Sequence, residues 1–207
     1  RNIATVTLSA FGVNEFAGSL NSRIFVDSVT RIDLTDLSLR YEDMLWKASD
    51  LSVLTIDSGR YNIDNFILRS EEPNGAGMQT VGVDGTVDPE GESDLTARVE
   101  NLSLAQFGSI VDLPVTGTLN SDWRLSGKTN NPTIHGNLVI SSGKYSNFDF
   151  ERLDGNFDYS DQRVNFSMNL KPTQAESLMI AGSAPFVLDT TSQAGVDSTI
   201  DVRIITD

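Results

Sequence analysis

The stretch Leu153-Asp154-Gly155-Asn156-Phe157-Asp158-Tyr159-Ser160-Asp161-Gln162-Arg163-Val164-Asn165-Phe166-Ser167-Met168-Asn169-Leu170 decides the fold class. Leu153, Gly155, Phe157 and Tyr159 recur at every second position, with Asp154, Asn156 and Asp158 between them. Successive residues of a strand point to opposite faces, so the first set shares one face and the second set the other. Ser160-Asp161-Gln162 supplies turn residues. Val164, Phe166, Met168 and Leu170 then alternate with Arg163, Asn165, Ser167 and Asn169. This is the pattern of an antiparallel hairpin with one dry and one wet face.

The same alternation spreads outward. It recurs at Leu95-Ala97-Val99, at Ile134-Gly136-Leu138-Ile140 and at Ile200-Val202-Ile204, and Thr30 to Asp36 also reads as a strand. Turn signals separate the runs: Glu72-Pro73-Asn74-Gly75, Asp88-Pro89-Glu90-Gly91, Asn130-Asn131-Pro132 and Ser141-Ser142-Gly143. Two stretches also fit a helical period. Tyr41, Met44, Leu45 and Ala48 follow i, i+3, i+4, i+7, and Leu104, Phe107 and Val111 follow i, i+3, i+7. Strands surround both, and the strand reading is preferred.

A five-residue phrase, apolar–x–Gly–polar–apolar, repeats along the chain. It occurs around Gly18, Gly85, Gly117, Gly136 and Gly155, with a weaker copy at Gly182. Gly117, Gly136 and Gly155 are evenly spaced, at the interval that two strands and two turns require. Each glycine sits between two apolar residues of one face. Glycine inside a strand marks a bend, a bulge or a close backbone approach. The glycines Gly85, Gly117, Gly136, Gly155 and Gly182, aligned across a sheet, predict a crease along its dry face. The expected fold is all-β: a long antiparallel sheet curled into an elongated U-shaped hydrophobic groove. The alternative is an ordinary β-sandwich with the glycines at edges and corners.

The 207 residues give roughly 15 strands at about 12–13 residues per strand and turn. They read as one elongated β-rich segment: looser repeats over 1–112, the clearest over 113–188, and a final strand over 189–207. Twenty-nine acids against 15 bases give a net charge of −14. Nucleic acid is therefore not an expected partner, because phosphate binding needs a basic footprint. The absence of cysteine removes disulfides and thiolate sites, and a single histidine removes His-rich zinc chemistry. No apolar run is long enough to form a membrane-spanning helix.

Leu113 to Leu188 resembles the repeat region of the TamB family, the AsmA-like translocation and assembly module proteins of the Gram-negative envelope. The residues that carry the resemblance are Gly117-Thr118-Leu119, Leu125-Ser126-Gly127-Lys128-Thr129 and Pro132-Thr133-Ile134-His135-Gly136-Asn137-Leu138. Leu153-Asp154-Gly155-Asn156-Phe157-Asp158-Tyr159 and Gly182-Ser183-Ala184-Pro185-Phe186 continue the series in the same order. Leu51 to Leu104 fits more loosely. The resemblance implies a β-taco, a sheet folded around a hydrophobic groove. It implies a periplasmic body that moves phospholipid between the inner and outer membranes, on a full-length protein anchored in the inner membrane. It also implies outer-membrane protein assembly with a TamA-like barrel, reached through other parts of the protein. Neither the family's anchor nor its glycine-rich closing segment is seen here, so the chain is expected to be an internal segment.

The residues expected to line the groove are Val115, Leu119, Ile134, Leu138, Ile140, Leu153, Phe157, Tyr159, Val164, Phe166, Met168 and Leu170. They are aliphatic and aromatic with one soft Met, which suits loosely specified acyl chains. The same residues equally fit a closed core. No cofactor, metal or enzymatic activity is expected. His135 reads as a surface histidine without a catalytic constellation. Asp88, Glu90, Glu92 and Asp94, and likewise Asp33 and Asp36, offer oxygen ligands for Ca²⁺, but the loop lacks the EF-hand's Gly and Glu positions and reads as solvated. Trp46 and Trp123 are few for a sugar cleft, and Gly75-Ala76-Gly77 lacks the lysine and helix of a phosphate loop.

Overall fold

In the structure, a computed structural model, residues 2–11, 16–41, 44–48, 50–71, 77–106, 114–174, 176–188 and 199–206 are described. They form fourteen strands of one sheet. These are β1 (Asn2–Phe11), β2 (Phe16–Val26), β3 (Thr30–Tyr41), β4 (Met44–Ala48), β5 (Ser52–Asp57), β6 (Arg60–Glu71), β7 (Met78–Val87), β8 (Glu92–Ser103), β9 (Val115–Lys128), β10 (Asn131–Tyr145), β11 (Phe148–Ser160), β12 (Arg163–Pro172), β13 (Leu178–Pro185) and β14 (Asp201–Thr206). The all-β antiparallel sheet expected from the alternation is what forms.

Strand order follows chain order, with one exception. β4 and β5 lie one after the other between β3 and β6. β4 pairs with the Ser38–Tyr41 end of β3, and β5 pairs with the Thr30–Leu34 end. The ladders from β1 to β7 and from β9 to β14 are all antiparallel. The chain forms two compact units, residues 1–99 and 100–207. Of the two helix-compatible stretches, the first is strand at Tyr41 and from Met44 to Ala48, where cross-strand pairing overrides the local period. In the second, Leu104–Gln106 is a helical turn, while Phe107 and Val111 lie outside the described residues.

The deciding hairpin is β11–β12. Its register pairs Leu153 with Leu170, Gly155 with Met168, Phe157 with Phe166 and Tyr159 with Val164. Asp161 and Gln162 take φ of 49° and 60°. Two consecutive positive-φ residues make the type I′ turn whose twist matches the strands. Ser58 and Gly59 do the same between β5 and β6.

Where the alternation changes phase, the ladder contains a bulge. In β3 the apolar positions run Ile32, Leu34 and then Leu37, Leu39, and the register with β2 shifts at Asn21/Ser22. In β6 they run Tyr61, Ile63 and then Phe66, Leu68, and the register with β7 shifts between Ile63 and Phe66. One extra residue returns the later side chains to the original face. The bulge in β6 leaves a backbone donor without a ladder partner, and a neighbouring side chain accepts from it. Asn65 (φ 57°) donates its N–H to Asp84 Oδ2 at 2.9 Å. In the other unit, Asn101 (φ 54°) donates its N–H to Asn120 Oδ1 at 2.9 Å. Both acceptors stand 19 residues after their donors. An unmet backbone donor is costly, so Asp84 holds the β6 bulge in place and Asn120 satisfies a positive-φ residue of β8.

Asp84→Ala is expected to lower stability by about 1 kcal/mol and to speed amide exchange at Asn65, whereas Asp84→Asn should preserve both. Chemical denaturation and residue-resolved hydrogen exchange check this, and an unchanged Asn65 exchange rate in the Ala variant would contradict it.

Candidate functional site

In the unit of residues 100–207, the dry face is laid out in cross-strand rows. One row runs Leu119, Ile140, Leu153, Leu170, Leu178 from β9 to β13. The next runs Ser121, Leu138, Gly155, Met168, Ile180, Ile204 from β9 to β14. A third runs Trp123, Gly136, Phe157, Phe166, Gly182, Val202. The fourth runs Leu125, Ile134, Tyr159, Val164, Ala184. At neighbour spacings of about 4.8 Å, a six-strand row spans about 24 Å. No charged side chain stands in these rows.

The twelve residues expected to line a groove fall on this face. Leu119, Ile134, Leu138, Ile140, Leu153, Phe157, Tyr159, Val164, Phe166, Met168 and Leu170 occupy the rows. Val115 pairs with Tyr145 beyond the β10 bulge at Ser141/Lys144. Their burial is informative. Tyr159 is 6% exposed, while the other eleven are only half-buried. A closed core would bring most of them to Tyr159's level, because interiors pack to crystal-like density. The described strands all belong to one sheet, and the described helical residues are the single turn Leu104–Gln106.

The sequence pattern missed part of this face. Trp123 and Leu125 continue the alternation of Leu119 in β9, and Leu178 extends the alternation already read around Gly182 in β13. That signal was present but short. The hairpin partner that confirms it lies on a neighbouring strand.

The glycines do not fall in a single crease. Gly136 and Gly182 share the third row, Gly155 stands in the second, and Gly117 lies beside the β10 bulge. They also do different work. A Cβ at Gly136 would overlap the six-membered ring of Trp123, which lies over that strand and stacks on Phe157 at 5.7 Å and 27°. A Cβ at Gly182 would meet the Asp201 carbonyl oxygen and stand 3.1 Å from Phe166 Cζ. At Gly155 it would come 3.0 Å from Phe157 Cε2 and 3.2 Å from Leu138 Cγ. Gly136 is a seat for a ring, as when an aromatic side chain covers a strand glycine across a pair; Gly155 lies against Phe157 of its own strand and Leu138, and Gly182 lets the β14 backbone close in beside Phe166. Gly85 and Gly117 are needed for their backbone, with φ of 126° and 123°, a region that L side chains avoid. At Gly85 a Cβ would also overlap the Asp94 carbonyl. The physical reason for the difference is local. A large ring opposite a glycine needs the missing side chain, not a bend.

In the unit of residues 1–99, one dry row runs Ala4, Ile24, Ile32, Leu54, Ile63, Gly85. The adjoining row carries Val6, Ser22, Leu34 and Ser52, and both serines are buried. Toward the β4 end the face is closed and polar. Met44 and Trp46 are buried, Ser70 pairs with Gln79, and Gln79 is 0% exposed.

The opposite face carries the charges. Asp33, 5% exposed, accepts from Arg31 Nε at 2.6 Å and lies 3.9 Å from Arg23. Asp36 accepts from Asn21 Nδ2 at 3.3 Å. Neither carboxylate presents a cation site. Asp88 Oδ1 accepts the N–H groups of Glu90 (3.1 Å) and Gly91 (2.8 Å), so this acid closes its own loop. Among the described residues no cluster of three or more His, Asp or Glu side chains is arranged to hold a metal. His135 Nδ1 meets Asp158 Oδ1 at 2.5 Å, an exposed cross-strand pair of the kind that contributes little. Arg152 donates to Asp154, which holds its guanidinium pKa above the ordinary value. Set against protein-family profiles, curated proteins and solved structures, the chain has no significant match.

Gly136→Val should displace the Trp123 ring and cost about 1–3 kcal/mol through overpacking. In a Trp46→Phe background, where Trp123 is the sole emitter, its fluorescence spectrum should shift together with the loss of stability. A variant as stable as its parent, with unchanged emission, would show that the ring does not rest on Gly136.

Proposed function

We propose that this chain holds phospholipid acyl chains against the apolar face of its sheet. It does so as a periplasmic segment of a bridge between the inner and outer membranes of a diderm bacterium. The observation that carries this reading is the half-burial of eleven in-register apolar residues on a face without a charged side chain. Apolar surface removed from water is worth about 25 cal/mol per Å². Each 100 Å² of this face covered by an acyl chain then gains about 2.5 kcal/mol. Nothing on the face fixes a headgroup, so the chemistry suits passage or storage of chains rather than recognition of one lipid.

The ordered resemblance to the TamB family supports the same reading and supplies its setting. In that setting the full-length protein is anchored in the inner membrane, and a TamA-like outer-membrane barrel is engaged through other parts of it. The role is non-enzymatic, since the proposed work is holding and conducting. The net charge of −14 keeps the outer face soluble and away from anionic membrane surfaces.

Mass spectrometry of an organic extract from the purified, detergent-free chain should find phospholipid in stoichiometric amount. A folded chain with no lipid overturns the proposal and leaves an edge-binding structural module as the reading. Phe166→Asp separates the two independently. On an open face it should keep the β-sheet circular dichroism and lose bound lipid. In a closed core the unpaired charge would unfold the chain.

A further inference from the structure

We propose that the tip of the β10–β11 hairpin is the lip of the acyl-binding face. The glycerol-ester region of a bound phospholipid rests against Tyr145, Phe148 and Phe150, and its chains run from there over Ile140 and Leu153. This deepens the lipid reading and rests on it.

Two bulges place these rings. Between Ser141 and Lys144, β10 has one residue more than β9, and between Phe150 and Arg152, β11 has one more than β12. β10 and β11 stay in step with each other, so the excess falls at one level of both strands. An extra residue interrupts strict alternation and bends the strand. Without it, Glu151 would share the face of Leu153 and end the apolar rows with a carboxylate. Instead Glu151 pairs with Lys171, on the wet side of β12, and Phe150 meets Pro172, which keeps the face of Leu170. Tyr145 likewise meets Val115, which keeps the face of Leu119, and opposes Phe148 across the turn. The dry face thus continues to the hairpin tip as a patch of rings.

The patch is fixed and yet open. Phe150 is 6% exposed and lies on Gly143, where a Cβ would overlap its ring. Phe148 stacks on Phe150 at 6.3 Å and 28°. Ser146 donates its N–H to the Pro114 carbonyl at 2.8 Å, and Thr173 donates its own to the Asp149 carbonyl at 3.4 Å. Tyr145 and Phe148 nevertheless remain 56% and 45% exposed. Lys144 and Asp149 pair at 3.4 Å beside them. Rings on a tip already held in place lose little freedom when a ligand covers them.

The chemistry selects which part of the lipid comes here. The rows behind the tip suit hydrocarbon. Tyrosine joins an apolar ring to a polar hydroxyl, and such side chains settle where hydrocarbon gives way to water. In a phospholipid that boundary is the glycerol-ester region. The lip takes the amphipathic end whatever the headgroup, in keeping with a face that recognises no single lipid.

Two spin-labelled phosphatidylcholines, one carrying its nitroxide on the headgroup and one near a chain end, test the placement by nuclear magnetic resonance. The headgroup label should broaden the amides of residues 144–149 most. The chain-end label should instead broaden those of β10 and β11 beyond Ile140 and Leu153. Tyr145→Ser combined with Phe148→Ser should keep the β-sheet circular dichroism and weaken lipid binding by about tenfold, the loss of roughly 60 Å² of apolar contact. Lipid that binds with no difference between the two labels, or a folded double variant that binds as the wild type does, overturns the lip and leaves the acyl-holding reading standing. A wild-type chain that takes up neither lipid overturns both. Should the double variant misfold, the label pattern on the wild type decides.

Discussion

Everything in this molecule depends on register. The side-chain period of a strand is two, so slipping one ladder by a single residue sends an entire apolar set to the wet face. The four dry rows from β9 to β13 exist because Ile134, Leu138 and Ile140 meet Tyr159, Gly155 and Leu153, and these in turn meet Val164, Met168 and Leu170. The tight turns and the latch at the β6 bulge help to hold that register. The Asp161-Gln162 turn fixes one ladder, Asp84 accepts from the bulge donor Asn65, and Asn120 accepts from Asn101.

The fold class was legible because a half-buried sheet writes its two faces directly into alternation. The bulges were legible too, although only in hindsight of the pairing. Ile32-Leu34 followed by Leu37-Leu39 is a change of phase, and the residues between are where the register of β3 shifts. Ile63 followed by Phe66 is another. A phase change is either the end of a strand or a bulge, and the chain alone does not say which. The neighbouring strand does.

The site was half legible for a related reason. Alternation identified which side chains share a face, and all twelve named residues do. It could not show that Trp123 comes to rest over Gly136. That contact joins residues on different strands, and its cause is the pairing of Gly136 with Trp123 in the β9–β10 ladder. A glycine repeat therefore suggested one structural role where the structure has two. Gly117 and Gly85 serve the backbone, Gly136 and Gly155 make room for side chains, and Gly182 sits against both the β14 backbone and Phe166. The distinction is three-dimensional, since both kinds sit between apolar residues in an identical five-residue phrase.

An apolar face held half in water is expensive, and the chain offsets that cost with its other face. Opposite the rows stand Arg152 with Asp154, His135 with Asp158, and Lys171 with Glu151, exposed pairs that add little stability individually but keep that face fully hydrated. The surplus of acids then sets copies of the chain apart at long range. Non-specific stacking of dry faces would bring two such surpluses together over a broad area. The same charge distribution thus disfavours face-to-face collapse of the dry rows.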